Sequence, residues 1–230
     1  MNLAAILLDI EGTTSSVSFV YDVLFPDARR QLAGYVAAQE AEVAPILDEV
    51  RSEAGQPGLT AAECADVLLR WMDEDRKAAP LKALQGMIWR DGYAAGRYRG
   101  HVFPDVAPAL RRWAGRGLAI YIYSSGSVEA QKLLFGHSAA GDLTPLLSGH
   151  FDTRTGGKKE PSSYAAIARA VGLPPARILF LSDNPEELDA ARAAGLRILG
   201  SIRPGNTYDL AAFPSVCAFD EVDEALAGTA

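Results

Sequence analysis

The stretch Ala4-Ala5-Ile6-Leu7-Leu8-Asp9-Ile10-Glu11-Gly12-Thr13-Thr14 decides the fold. An apolar run ends in two acidic residues, a glycine and two hydroxyls. A short run that is apolar on both faces and bounded by turn residues predicts a strand over 4–10, buried on both sides as in a parallel sheet covered by helices. Its polar tail falls at the carboxyl end of the strand, where open α/β sheets bind ligands. Strand alternation would put Asp9 and Glu11 on one side. Gly12 permits a sharp turn directly after them.

The pattern recurs downstream. Residues 118–124, 150–153 (weakly), 177–182 and 196–202 read as strands, and 105–116, 128–135, 161–171 and 185–194 read as helices. Pro104, Pro161 and Pro185 lie at helix starts, and Gly117, Gly136, Gly172 and Gly195 lie at or just past helix ends, as helix punctuation requires. The alternation predicts an α/β fold with a doubly wound, Rossmann-like parallel-sheet core. The long interval between the first two strands carries only helix signals, over 25–39, 42–53, 61–75 and 81–93. Cys64, Val67, Leu68, Trp71 and Met72 trace an apolar stripe there at helical spacing. The expected organisation is a core over 1–18 and 100–230 with an all-helical domain inserted at 19–99.

Composition narrows the function classes. The 230 residues are 49% apolar and 22% charged, ordinary for a soluble globular protein. A chain of this length buries roughly 70% of its unfolded surface, so it needs neither disulfides nor a structural metal to fold. Asp and Glu total 29 against 22 Lys and Arg, a net charge of -7 that opposes binding to nucleic acid or an anionic membrane. A small anionic substrate remains compatible, because a site needs only local cations. No apolar run reaches the roughly 18 residues that span a bilayer. The first residues lack a basic region and Asp9 interrupts them, so no signal peptide is expected. Cys64 and Cys217 match no metal or redox spacing and read as reduced thiols in a cytoplasmic protein. With no heptad face, the expected state is a monomer.

Four strand ends carry residues with chemistry. After the first come Asp9 and Glu11, a nucleophile and a general acid or base at neighbouring positions. After the second comes Ser124-Ser125-Gly126-Ser127, a hydroxyl cradle backed by a helix N-terminus, although Ser127 also reads as a plain cap. Gly156-Gly157-Lys158-Lys159-Glu160-Pro161 supplies a lysine able to neutralise a phosphoryl group. After the fourth strand comes Ser182-Asp183-Asn184-Pro185-Glu186-Glu187, with Asp183 matching Asp9 in position. Glu186 suits the helix dipole and Glu187 a supporting place beside the cluster. Two carboxylates about 4 Å apart repel by roughly 4 kcal/mol at an effective dielectric near 20. Such a cluster takes up protons or binds a cation, and all-oxygen donors suit Mg²⁺. Carboxylates, Mg²⁺, a hydroxyl cradle and a lysine are together the parts for phosphoryl transfer.

In this order the four blocks resemble the haloacid dehalogenase superfamily in its Mg²⁺-dependent phosphatase branch, whose helical cap the insertion also resembles. A narrower resemblance is to the enolase-phosphatases of methionine salvage. It is carried by Asp9-Ile10-Glu11-Gly12-Thr13-Thr14, with Glu where most of these phosphatases have Asp, and by Met87-Ile88-Trp89-Arg90-Asp91-Gly92-Tyr93. The block from Tyr121 to Ser138, Gly149-His150-Phe151-Asp152-Thr153 and Arg203-Pro204-Gly205-Asn206 extend it. The resemblance implies conversion of 2,3-diketo-5-methylthiopentyl 1-phosphate to an acireductone plus phosphate. It also implies one Mg²⁺ held by Asp9, the Glu11 carbonyl and Asp183, with Ser124, Ser125 and Lys158 on the substrate. Catalysis would rest on Asp9, Glu11 and Lys158, with Lys159 the alternative lysine. Phe19, Phe25 and Trp89 could pack near a methylthio tail, against the plainer reading of helical-domain core. A general Mg²⁺-dependent phosphatase of small metabolites is the broader alternative, and a non-catalytic binding module is the alternative of another class.

Overall fold

The computed structural model of the chain describes residues 3–227. Strand β1 is Ala5–Leu8, with every residue buried. It stops short of the expected 4–10 because the chain turns at Ile10, whose carbonyl accepts the N–H groups of Thr13, Thr14 and Ser15 at 3.2, 2.9 and 2.8 Å. Glu11 therefore sits in this turn, bridged to Ser15, and strand alternation does not relate it to Asp9.

The chain divides into two compact units, Met1–Phe19 with Arg99–Ala230, and Val20–Tyr98. A π-helical segment, Phe19–Leu24, leads into four helices, α1 (Phe25–Ala38), α2 (Glu40–Ala54), α3 (Ala61–Asp73) and α4 (Ala79–Ala94). They close on a core that includes Leu32, Leu47, Val50, Leu68 and Leu84. A reciprocal cap opens α3: Thr60 N–H donates to Glu63 Oε2 at 2.8 Å while Glu63 N–H donates to Thr60 Oγ1 at 3.3 Å. In the expected stripe Cys64, Val67, Leu68 and Trp71 are buried, with Met72 partly so. The Trp89 indole donates to the Leu24 carbonyl at 2.9 Å and its ring lies 5.9 Å from Phe25, so these two aromatics pack with each other. Phe19 belongs to the other unit, 6.3 Å from His101.

Beyond the insertion come α5 (Val106–Gly115), β2 (Ala119–Tyr123), α6 (Val128–Gly136), β3 (Gly149–Phe151), α7 (Pro161–Val171), β4 (Ile178–Ser182), α8 (Pro185–Ala193), β5 (Arg197–Ser201), β6 (Ser215–Val216) and α9 (Asp220–Ala227). The six strands form one sheet in the order β3-β2-β1-β4-β5-β6, every pair parallel. Parallel pairing brings all the carboxyl ends to one edge. Leu8 stands level with Ile122 of β2 and Leu181 of β4, which sets the residues that follow these strands side by side. The two-residue β6 and α9 have no counterpart in the sequence reading, since a pair such as Ser215-Val216 shows no periodicity. No helix among the described residues is long and apolar enough to cross a membrane.

Candidate active site

Asp9 follows β1 directly and is 3% exposed. Its N–H donates to the Leu181 carbonyl at 3.0 Å, continuing the ladder one step beyond the strand, and its carbonyl accepts Thr14 Oγ1 at 3.1 Å. The Lys158 ammonium lies 2.5 Å from Asp9 Oδ1 and 2.7 Å from Glu187 Oε2. Ser182 Oγ also donates to Glu187, at 2.9 Å. Burial works against the charged lysine, but Asp9 and Glu187 together outweigh it and hold its pKa above the ordinary value. Lys159 points elsewhere, pairing with Glu186 on an exposed face. Of the two adjacent lysines only Lys158 is buried against Asp9.

Asp183 is buried beside this group. Burial first, then the neighbouring Asp9 and Glu187 carboxylates, push its pKa up to about 7. Burial likewise raises Glu187, opposed by Lys158. Three carboxylates thus face one ammonium. Gly12 explains how the chain approaches so closely: its φ is +72°, and a Cβ there would fall 2.2 Å from Asp183 Oδ2 and 3.0 Å from Asn206 Oδ1. Only glycine fits, on both counts. Asn206 Oδ1 is itself buried without a hydrogen-bond partner among the described residues. No three His, Cys, Asp or Glu side chains among those residues are grouped to hold a metal by themselves. Two carboxylates carrying excess negative charge, a backbone closing on one of them and an unsatisfied acceptor alongside fit a hard, hydrated divalent cation, which takes few protein ligands and keeps its waters.

A measurable consequence concerns stability without metal. Asp183 binds its proton more tightly folded (about 7) than unfolded (about 3.9). Its contribution is therefore favourable below about pH 4 and is lost as pH rises through 7. Asp183→Asn should stabilise the metal-free protein at pH 8, on the order of 2–4 kcal/mol, and give little difference at pH 4. Urea unfolding at both pH values with a chelator present checks this. Equal midpoints for the two proteins at pH 8 would refute it.

Ser124 and Ser125 follow β2, next to β1. Ser124 is buried and its Oγ accepts the Gly126 N–H at 3.1 Å, whereas Ser125 is exposed. Ser127 Oγ accepts the Ala130 N–H at 3.2 Å, the plain cap on α6. Asp152, beyond β3, adds a second contact to that helix start through the Val128 N–H at 3.3 Å.

Three residues that the sequence reading left without a role hold this scaffold. Gln131, 1% exposed, donates to the Gly126 carbonyl at 3.0 Å and the Phe151 carbonyl at 2.8 Å, tying the serine loop to β3. Asn206 Nδ2 donates to the Gly12 and Ser201 carbonyls at 3.0 and 2.9 Å. Arg203 Nε donates to the Thr13 carbonyl at 3.1 Å, and its NH1 pairs with Asp105 at 2.8 Å. Its guanidinium lies between the rings of Phe103 and Phe219, at 4.8 and 4.6 Å. The turn after β1 is thus fastened by the loop after β5. Helical spacing did give a signal for Gln131, a polar residue on the same face as Leu134 and Phe135.

A parallel six-stranded sheet with a helical insertion after its first strand, and an Asp-Lys-Glu-Asp cluster at the strand ends, define a hydrolase class. The family model for haloacid dehalogenase-like hydrolases matches residues 3–195. The chain is 56% identical over 224 residues to the enolase-phosphatase E1 of Pseudomonas aeruginosa (strain UCBPP-PA14), covering 96% of this chain and 99% of that one. It is 54% identical over 227 residues to the enolase-phosphatase E1 of Azotobacter vinelandii, covering 98% and 99%. The crystal structure of UTR4 protein from Saccharomyces cerevisiae superposes with a TM-score of 0.83 at 34% identity, over 95% of this chain and 99% of that one. The crystal structure of a 2-haloacid dehalogenase from Pseudomonas syringae pv. Tomato, at 18% identity and a TM-score of 0.63 over 99% of this chain and 100% of that one, shares the fold alone. The chain belongs to the enolase-phosphatase E1 family of haloacid dehalogenase-like hydrolases.

Proposed function

We propose that this chain is a bifunctional enolase-phosphatase of methionine salvage. It converts 2,3-diketo-5-methylthiopentyl 1-phosphate to 1,2-dihydroxy-3-keto-5-methylthiopentene and phosphate. The observation that carries the phosphatase half is Asp9, buried at the end of one of the two central strands with Lys158 2.5 Å from its carboxylate. The enolase half rests on the full-length likeness to enolase-phosphatase E1 proteins.

In our reading the Asp9 carboxylate attacks phosphorus in line. An Asp9 O–P bond forms as the bond to the substrate's C1 oxygen breaks, and Glu11 gives that leaving oxygen its proton. Glu11 then takes a proton from water, which attacks the aspartyl phosphate and releases inorganic phosphate with Asp9 restored. Lys158 balances the charge of the transferring group, while Ser124 and Ser125 hold its oxygens. Glu187 and Ser182 keep the lysine in place. Asp9, Asp183 and the Glu11 carbonyl would hold Mg²⁺, which when bound would neutralise phosphoryl charge and polarise the diketone. Glu11 is our assignment for the base that removes the enolisable proton. Glu11→Gln should slow solvent exchange of that proton by at least about 10²-fold, read by NMR in deuterium oxide. Exchange at the wild-type rate would assign the base elsewhere.

The direct test follows the ultraviolet absorbance of the acireductone, without oxygen, after the protein and Mg²⁺ meet the diketone phosphate. A rise that vanishes with chelator supports both half-reactions and the metal. A flat trace from folded protein would overturn the reading.

A further inference from the structure

Three consecutive carbonyl oxygens in the loop that carries Lys158 each accept a hydroxyl proton from a buried side chain. Tyr123 Oη donates to the Gly156 carbonyl at 2.9 Å, Ser163 Oγ to the Gly157 carbonyl at 2.8 Å and Tyr164 Oη to the Lys158 carbonyl at 2.6 Å. The donors come from two elements: Tyr123 closes β2, next to the serine loop, and Ser163 and Tyr164 lie in the first turn of α7. All three are at most 1% exposed. The tyrosine rings meet edge to face at 5.5 Å, and Tyr164 packs on Phe180 of β4 at 5.0 Å, so the hydroxyls sit on a rigid base. Burial raises both tyrosine pKa values, which keeps both hydroxyls as donors. Gly156, at φ +142°, lets the loop lie tight against α7, since a Cβ there would fall 2.2 Å from Ser163 Oγ.

A surface loop ordinarily leaves its carbonyls to water. Here three in a row are fixed by the protein, and they end on Lys158, which meets Asp9. A lysine side chain is long and flexible, so where its ammonium falls depends on how firmly its backbone is held.

We propose that Tyr123, Ser163 and Tyr164 are positioning residues for Lys158, setting its backbone so that Nζ bridges Asp9 and Glu187. The proposal rests on the reading in which Lys158 stabilises the transferring phosphoryl group. A misplacement on the ångström scale costs up to about 10²-fold in rate.

The test uses Tyr164→Phe, Tyr123→Phe and Ser163→Ala in the full chain, with Ser163→Thr as the variant that keeps a hydroxyl. Phosphate release, thermal midpoint and peptide-mapped acetylation of Lys158 relative to its exposed neighbour Lys159 are measured for each. Tyr164→Phe is expected to lower kcat about tenfold or more with KM changed less than about twofold, and to raise the Lys158/Lys159 acetylation ratio several-fold. Ser163→Thr should restore most of what Ser163→Ala loses. In a Lys158→Met background the Tyr164→Phe change should cost no further activity, because its effect passes through the lysine. An unchanged acetylation ratio in folded Tyr164→Phe, or a full additional loss in the Lys158→Met background, would overturn the proposal. Should Tyr164→Phe not fold, the Ser163→Ala and Ser163→Thr pair decides by the same ratio. If Lys158→Met keeps wild-type activity, the reading of the lysine falls, while the ratio still reports separately on the clamp.

Discussion

Replacing Asp9 with asparagine is expected to lower the rate of phosphate release by at least about 10⁴-fold, the scale seen when a nucleophile is removed from a covalent mechanism. The substitution is nearly isosteric. Asparagine keeps an oxygen for Lys158 Nζ, now 2.5 Å from Asp9 Oδ1, and keeps the backbone bonds to Leu181 and Thr14. The loss should therefore come from chemistry and not from unfolding, with a thermal midpoint within a few degrees of the wild type. A second readout separates nucleophile from bystander. Acid quench of wild-type protein turning over ³²P-labelled substrate should leave label on the peptide containing residue 9, and the variant should carry none. Substantial phosphate release by folded Asp9→Asn protein would refute the assignment.

Lys158→Met should act on both rate and stability. Methionine fills a similar volume but removes the ammonium between Asp9 and Glu187, whose oxygens lie 2.5 and 2.7 Å from it. The rate should fall by about 10²–10³-fold, the cost of losing one preorganised group that stabilises transition-state charge. Breaking a buried ion pair by removing one partner costs roughly 3–5 kcal/mol, because the remaining charge is buried without compensation. That cost should depend on pH. Glu187, raised by burial and so far opposed by Lys158, would be raised further. An acid that holds its proton more tightly when folded destabilises as pH rises through its folded pKa. Urea midpoints for Lys158→Met should accordingly approach those of the wild type near about pH 5 and diverge near about pH 8. A pH-independent difference would show that packing, not charge, is what the lysine supplies.

Much of this site is local in the chain and was therefore legible. The four strand ends, and the helices that follow three of them, announce themselves through short apolar runs ended by Asp9, Ser124 and Asp183 and through Pro and Gly at helix boundaries. What stayed hidden depends on distant partners. Two adjacent lysines look alike in composition and spacing alone; the family resemblance favours Lys158, and the fold buries it while leaving Lys159 with Glu186 outside. Arg203 and Asn206 hold a turn some 190 residues earlier (|i−j| of 190 and 194), and no local pattern encodes such a reach. The alternation that paired Asp9 with Glu11 failed because β1 ends at Leu8, where three N–H groups converge on the Ile10 carbonyl. A strand's periodicity cannot report where a turn interrupts it.

The strand order has a consequence for how the chain is made. β1 is the first strand synthesised and one of the two central strands, yet its two neighbours in the sheet begin at Ala119 and Ile178. The helices of the insertion share a buried core of their own and are synthesised complete while β1 still lacks both its neighbours. Ala5–Leu8, wholly apolar and destined for full burial, must wait through most of translation for its partners. Such long-range pairing is slow and leaves a sticky segment uncovered in the meantime. Newly emerging chains should therefore depend on holding factors at the ribosome more than a protein of this size with locally paired strands would.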